Sequence, residues 1–342
     1  MFFLIYLLSL TAVFLLIKNI LIKEKKLLSA SGDNHQNFSS KQNVPLTGGI
    51  FIFLSLSYFL FQNLINIDLY VFLLLILILG LFADLKLIKS AKKRLFYQFL
   101  IVLIFVIYKD IEISNTRIYL LDYLLQYEVL SYFFICFCVL IIMNGSNFID
   151  GLNTLNLGYF LSICLIILYL SFINEISIND IPMKFVIIII IFSYIFNINN
   201  NFFLGDSGSY LLGGFFSLYL INLYELNSHI SPFFIVLLLW YPSYETLFSI
   251  IRKKILKRSS MRPDTNHLHQ LIFFMIRKDY FKKTYLANII SANLINLYNL
   301  IIFSISLNFI TQSQIQIILI ILNLIVYTVT YFRLFVYRFN KI

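Results

Sequence analysis

Eleven apolar runs divide this chain, and they leave few folds open to it. They read as Met1–Ile17, Gly48–Phe61, Leu69–Phe82, Leu95–Tyr108, Val129–Met143, Leu155–Phe172, Phe185–Ile198, Ser209–Leu223, Phe233–Ile251, Tyr285–Leu307 and Ile315–Phe335. Such runs recur at the scale of an apolar layer ~30 Å thick. Several fall short of the usual ~20 residues, so they are expected to extend into their polar flanks. Of the 342 residues, 60% are hydrophobic and 12% charged, a balance that no soluble domain needs. The 37 Phe and 23 Tyr suit lipid-facing and interfacial surface. The expectation is an all-α, polytopic integral membrane protein of about eleven transmembrane helices, forming one domain over 1–342. The first run lacks a charged leader and a small-residue cleavage site, so it reads as a retained span rather than a signal peptide. No fixed-period repeat or soluble appendage is visible. Cys136, Cys138 and Cys164 all sit inside apolar runs and read as packing residues, not a disulfide or metal framework.

The charges orient the chain. Eleven spans put the termini on opposite sides. All but three of the 26 lysines and arginines then fall on one side, in the Lys18–Val44, Gly80–Gln98 and Arg252–Thr284 stretches and the C-terminal tail. The exceptions are Lys109, Arg117 and Lys184. Cytoplasmic loops concentrate Lys and Arg, so the N-terminus is expected outside and the C-terminus in the cytoplasm. The net charge of +10 is thereby a membrane-orientation signal, and no nucleic-acid partner is expected. The two sequons, at Asn37 and Asn144, fall on the cytoplasmic side and are discounted for glycosylation.

Five polar islands share that cytoplasmic face: 44–50 (VPLTGGI), 80–98 with Asp84, 143–156 (MNGSNFIDGLNTLN), 197–214 with the stretch FLGDSGS, and 252–284 with RPDTNHLHQ. The third is the most telling. A carboxylate at membrane depth is costly and marks a functional-site hypothesis. Asn147 and Asp150 are three apart and share a face if the next helix begins with them. Each island also has a bland reading. A polar loop, close helix packing at Gly48–Gly49, a headgroup-binding cluster at Lys86–Arg94 and solvated loop histidines would each suffice alone. Together they place carboxylates, amides, glycines and two histidines on one face, ringed by cations. That inventory suits phosphate chemistry. Mg²⁺ prefers oxygen ligands and binds through one or two carboxylates plus substrate phosphates. Lys and Arg neutralise phosphate charge, and glycine-rich turns bring backbone N–H groups to it. Zinc is disfavoured, because His267 and His269 lack cysteine partners.

In this order, NxxNxxDGLN (144–153), FLGDSGS (203–209) and PDTNHLH (263–269) resemble the polyprenyl-phosphate N-acetylhexosamine-1-phosphate transferase family, glycosyltransferase family 4. The likeness covers roughly Val44 to Gln270. The resemblance implies a cytoplasm-facing site in a bacterial inner membrane. There a UDP-N-acetylsugar meets polyprenyl phosphate, giving lipid-diphosphate-sugar and UMP with Mg²⁺ (or Mn²⁺) as cofactor. The lipid bilayer is the other partner, and a homodimer is left open. Eleven spans and the run His267-Leu268-His269-Gln270 point to the glycan-initiating branch. By motif, Asp206 is the metal ligand. Asp84, Asp150, His267 and His269 are the catalytic candidates, and Asn147, Arg94, Asn153 and Asn266 bind substrate. The catalytic face comprises 44–50, 80–98, 143–156, 197–209 and 252–284.

Three positions depart from the family pattern. Ala83 stands at the first of the family's paired aspartates, while Asn153 and Glu245 stand at or near positions often held by Asp. Ala83 puts in doubt any mechanism that uses that first Asp as a base. A phosphate monoester has its second pKa near ~6, so the lipid phosphate is largely a dianion at neutral pH and needs screening more than deprotonation. Two rivals stay open. One is an inactive homologue that binds polyprenyl phosphate. The other is a transporter or flippase, which the one-sided acids and missing repeats disfavour.

Overall fold

The structure, a computed structural model, describes residues 2–24, 26–29, 43–178, 182–257 and 265–339. Lys25, Asn37, Lys41, Arg258, Lys341 and the Arg262–Asp264 part of the last island lie outside the described residues. Regular structure among the described residues is helical, apart from an isolated bridge between Leu28 and Pro45. The first half holds α1 (Phe2–Glu24), α2 (Gly48–Phe61), α3 (Ile67–Asp84), α4 (Ala91–Lys109), α5 (Tyr119–Leu125), α6 (Glu128–Ile149) and α7 (Leu155–Phe172). The second holds α8 (Met183–Ile198), α9 (Gly205–Leu226), α10 (Pro232–Leu238), α11 (Trp240–Ile255), α12 (Leu268–Asp279), α13 (Thr284–Ser306) and α14 (Ser313–Phe339).

Every apolar run forms a helix or a pair of helices, because in an apolar layer the backbone must satisfy its own hydrogen bonds. Among the described residues six are long and apolar enough to cross a membrane, namely α1, α3, α6, α7, α13 with its following 3₁₀ turn, and α14, or seven with the bent pair α10–α11. The described residues are thus those of a helical, multi-pass membrane protein. The helices α2 and α8 are shorter, and α4 and α9 carry polar residues at one end.

The bundle is built around α9. From Ser207 to Tyr224 all but one of its residues are buried. Small residues let its neighbours approach at backbone distance, as membrane helices require. A Cβ on Gly213 would stand 2.6 Å from Met143 Cα on α6, and one on Gly80 of α3 would strike Ser207 Cα. The outermost helices, α1 and α14, bury little of themselves and present Leu, Ile, Val and Phe outward.

Three expectations are corrected. The run Phe233–Ile251 is not one helix: α10 and α11 meet at 71°. Pro242 has no N–H and its ring would clash with the Leu238 carbonyl in a continuous helix, whereas a first turn tolerates it. The carbonyls at the break are re-satisfied by the Tyr159 hydroxyl on Leu238 (2.7 Å) and the Ser243 hydroxyl on Leu239 (2.6 Å). Secondly, 252–284 is not all loop, since α11 runs to Ile255 and α12 starts at the histidine motif, while α5 occupies a further stretch outside the apolar runs. Thirdly, Asn147 belongs to the end of α6 and Asp150 caps that helix, rather than opening the next.

The opposite end of the bundle is tied by Arg117. Its guanidinium donates to the carbonyls of Ile230 (2.7 Å) and Thr311 (3.0 Å), joining the loops before α10 and α14. An open groove of about 620 Å³ lined by Leu165, Leu168, Phe172, Ile178 and Lys184 also lies there, away from the polar islands.

Candidate functional site

Four of the five islands meet at the N-terminus of α9, and the fifth packs against the third beside Gly151. Gly205 takes φ +70°, which glycine adopts without strain. The Asp84 carboxylate lies against it, where a Cβ would be 2.7 Å from Oδ2. Asp84 accepts the backbone N–H of Asp206 (2.8 Å) and of Ser207 (3.1 Å). A carboxylate there answers two of the unpaired donors of the helix start and faces the positive end of its dipole. The C-terminus of α3 is thus pinned to the start of α9 by a residue 122 positions away.

The turn that precedes α9 is held by the first island. Phe203 N–H donates to Pro45 O (2.9 Å) and Gly48 N–H donates to Phe203 O (3.0 Å). The Gly48–Gly49 pair therefore serves close packing, the blander of its two readings.

Asp206 projects from the first turn of α9 and forms an ion pair with Arg94 in the first turn of α4. Arg94 Nε is buried without a hydrogen-bond partner. One turn on, the Tyr210 hydroxyl stands 3.4 Å from Asp206 Oδ2 and from Asn147 Nδ2, linking α9 to α6. Asp150 follows at the end of α6. Burial pushes its carboxyl above the usual carboxylate range, the charges of Asp206 and Asp84 push the same way, and a hydrogen bond from Ser209 opposes them. Asp84, Arg94, Asn147, Asp150 and Asp206 thus form one cluster from four helix ends.

Asn153 is in a different position. Its backbone N–H donates to Asn288 Oδ1 (2.9 Å) and its side chain to Asn200 Oδ1 (2.9 Å). With Asn197 Oδ1 accepting from Thr154 N–H (2.6 Å), these amides clamp the turn between α6 and α7 to α8 and α13. Asn153 is only 8% exposed, so its side chain braces the site from behind.

The histidines enter from α12. His269 Nε2 would be 2.5 Å from a Cβ on Gly151, which places the ring beside the residue after Asp150. His267 lies over His269 with ring centroids 5.6 Å apart and meets Phe148 at 5.4 Å. His267 Nδ1 contacts Glu245 Oε1 at 2.8 Å, and Tyr327 donates to Glu245 Oε2 at 2.7 Å. A carboxylate only accepts, so Nδ1 carries the proton and the ring is held in one tautomer. Asn266 precedes the pair; its carbonyl accepts from Arg252 (2.7 Å) and its Oδ1 from Arg338 (3.3 Å).

Sequence reasoning did not assign roles to Glu245, Tyr327 or Tyr210. Tyr210 had a signal, four residues beyond Asp206 on one helix face. The partnership of Glu245, 22 residues from His267 and 82 from Tyr327, had none.

Among the described residues no group of three or more His, Cys, Asp or Glu side chains could hold a metal alone. The donors that do cluster are carboxylate oxygens, beside an arginine able to take phosphate. That chemistry fits a hard cation completed by substrate oxygens, not an all-protein cage.

Residues 66–224 match the model of glycosyl transferase family 4. The chain is also 28% identical, over 239 residues, to an undecaprenyl-phosphate alpha-N-acetylglucosaminyl 1-phosphate transferase of Thermotoga maritima, covering 69% of this chain and 70% of the relative. The matched region contains Asp84, Arg94, Asn147, Asp150 and Asp206, the whole carboxylate cluster. The resemblance read from the motifs is borne out: residues 66–224 are similar to glycosyl transferase family 4, and the longer match is to a sugar 1-phosphate transferase.

Proposed function

We propose that this protein transfers an N-acetylated sugar 1-phosphate from a UDP-sugar to undecaprenyl or another polyprenyl phosphate, releasing UMP. The observation that carries the reading is the gathering of Asp84, Asp150, Asp206 and Arg94 at the start of α9. Oxygen of the lipid phosphate forms a bond to the sugar-bearing phosphorus, and the bond from that phosphorus to the UMP oxygen breaks. Such transfer asks mainly for in-line placement and charge neutralisation. Arg94 supplies a fork for phosphate oxygens. Asn147 and the histidines line the approach, with Glu245 fixing the His267 ring. Asp206, with Asp150 near it, would hold Mg²⁺, whose charge screens the diphosphate when bound. Asp84 acts through the α9 start it caps. No protein base is required at Ala83, because the attacking phosphate is largely ionised at neutral pH. The same proposal places all eleven runs across a bacterial inner membrane, N-terminus outside, with this end of the bundle in the cytoplasm. The product would initiate a cell-surface glycan.

The test is UMP release from purified protein with Mg²⁺ and undecaprenyl phosphate across a panel of UDP-N-acetylsugars. Release with at least one sugar is expected. Binding of undecaprenyl phosphate without release from any sugar would favour the inactive-homologue reading that Ala83 raises.

A further inference from the structure

We infer that Arg94 couples cation binding to phosphate binding by moving between Asp206 and the substrate, an inference that rests on the transferase reading above. Arg94 already has an anionic partner. Its guanidinium sits on Asp206 Oδ2, the same carboxylate oxygen that Tyr210 approaches. A cation seeking Asp206 must therefore displace a resident positive charge.

The second observation is that this arginine is poorly satisfied where it stands. Nε is buried with no hydrogen-bond partner, and a buried unpaired donor is unfavourable. Guanidinium offers its donors as a planar fork suited to two oxygens of one anion. A single contact to Asp206 uses little of that fork, whereas a phosphate approaching from the open side of the site could engage more of it. The Arg94 side chain is 27% exposed and that of Asp206 22%, so solvent and ligand reach the pair.

The third is the fixed geometry around the pair. Asp206 is held on a helix start locked by Asp84 and Gly205, so the carboxylate stays while the long arginine side chain moves. When phosphate takes Arg94, Asp206 is released to a divalent cation. When the cation takes Asp206, Arg94 is released to phosphate. Each ligand then tightens the other by the same factor, as linkage demands. The site would thereby avoid holding a bare carboxylate cluster or a bare cation before its substrate arrives.

The experiment uses the intact protein in detergent, with Mn²⁺ as the metal probe and geranyl phosphate as a soluble phosphate monoester. Mn²⁺ binding is read by titration calorimetry or electron paramagnetic resonance, with no turnover required. For the native protein, geranyl phosphate should tighten Mn²⁺ binding by about threefold or more, and Mn²⁺ should tighten geranyl phosphate equally. For Arg94→Gln, Mn²⁺ alone should bind about threefold to tenfold more tightly than to the native chain, because its competitor is gone, and the mutual effect should fall to what direct contact between Mn²⁺ and the phosphate supplies. Arg94→Lys keeps the charge and guards against a folding failure of the neutral variant. It should retain the weak Mn²⁺ binding but lose most of the coupling, since an ammonium is a point charge. Weaker or unchanged Mn²⁺ binding to a folded Arg94→Gln protein, with coupling intact, would overturn the inference. Asp206→Asn separates this from the underlying reading. If it abolishes Mn²⁺ binding while Arg94→Gln changes nothing, only the coupling is wrong. If it leaves Mn²⁺ binding untouched, both the coupling and the metal assignment fall.

Discussion

Asp84→Ala is the sharpest test of how the site is held. The Asp84 carboxylate accepts from two consecutive backbone donors, Asp206 N at 2.8 Å and Ser207 N at 3.1 Å, at the start of the most buried helix. Alanine leaves both without an acceptor. An unsatisfied buried donor costs about 1–3 kcal/mol, and loss of a helix cap measured elsewhere falls in the range of about 0.5–2 kcal/mol. A combined local loss of about 2–4 kcal/mol follows, which corresponds to roughly 30-fold to several hundred-fold faster opening of the first turn. Asp84→Asn keeps one acceptor oxygen and loses the charge facing the helix dipole, a smaller loss of about 1 kcal/mol, or roughly fivefold. Hydrogen–deuterium exchange of the segment 203–210 reads this directly. The effect should be confined to that segment and graded Ala over Asn, and UMP release should fall in the same order because Asp206 is no longer held. If Asp84→Ala abolishes transfer while the α9 start exchanges as slowly as in the native protein, the capping account is wrong and Asp84 acts on substrate directly.

Asp150→Asn should stabilise the fold while impairing transfer. A carboxyl raised above its ordinary value of ~4 favours folding where it is protonated, and that contribution is lost as pH rises through the raised value. The variant should therefore melt above the native protein at about pH 8, with the gap closing towards about pH 5; a variant that melts lower at both would contradict it. Ala83→Asp should change turnover only modestly, about tenfold or less, and native turnover should decline on the acid side with an apparent pKa near ~6 as the lipid phosphate protonates. Restoration of activity by Ala83→Asp in an otherwise inert protein would refute that account. For orientation, a cysteine placed at Lys26 or at Lys257 should escape a membrane-impermeant thiol reagent applied to intact cells. Labelling at Lys257 would invert the proposed topology.

The helices were legible because their cause is local. Two observed helices, Gly48–Phe61 and Leu155–Phe172, begin and end where the apolar runs do. Burial of a segment in an apolar layer depends on that segment's own side chains and needs no partner. The motif residues were legible too, because a carboxylate or amide amid apolar sequence is conspicuous wherever it lands. The break between α10 and α11 was written in Pro242, but its 71° angle was not, since the angle depends on what packs against each half. Asn153 and Asp84 mark the limit. Nothing local distinguishes an asparagine that bonds Asn200 and Asn288 from one that faces a ligand. Nor does the sequence say that Asp84 caps a helix 122 residues away, that Arg94 rests on Asp206, or that Glu245 joins His267 to Tyr327. The sequence by itself determined which groups are available and that they crowd one end of a helical bundle. The tertiary structure alone decided which of them touch, because a hydrogen bond between distant residues is a property of the packing that closes the chain between them.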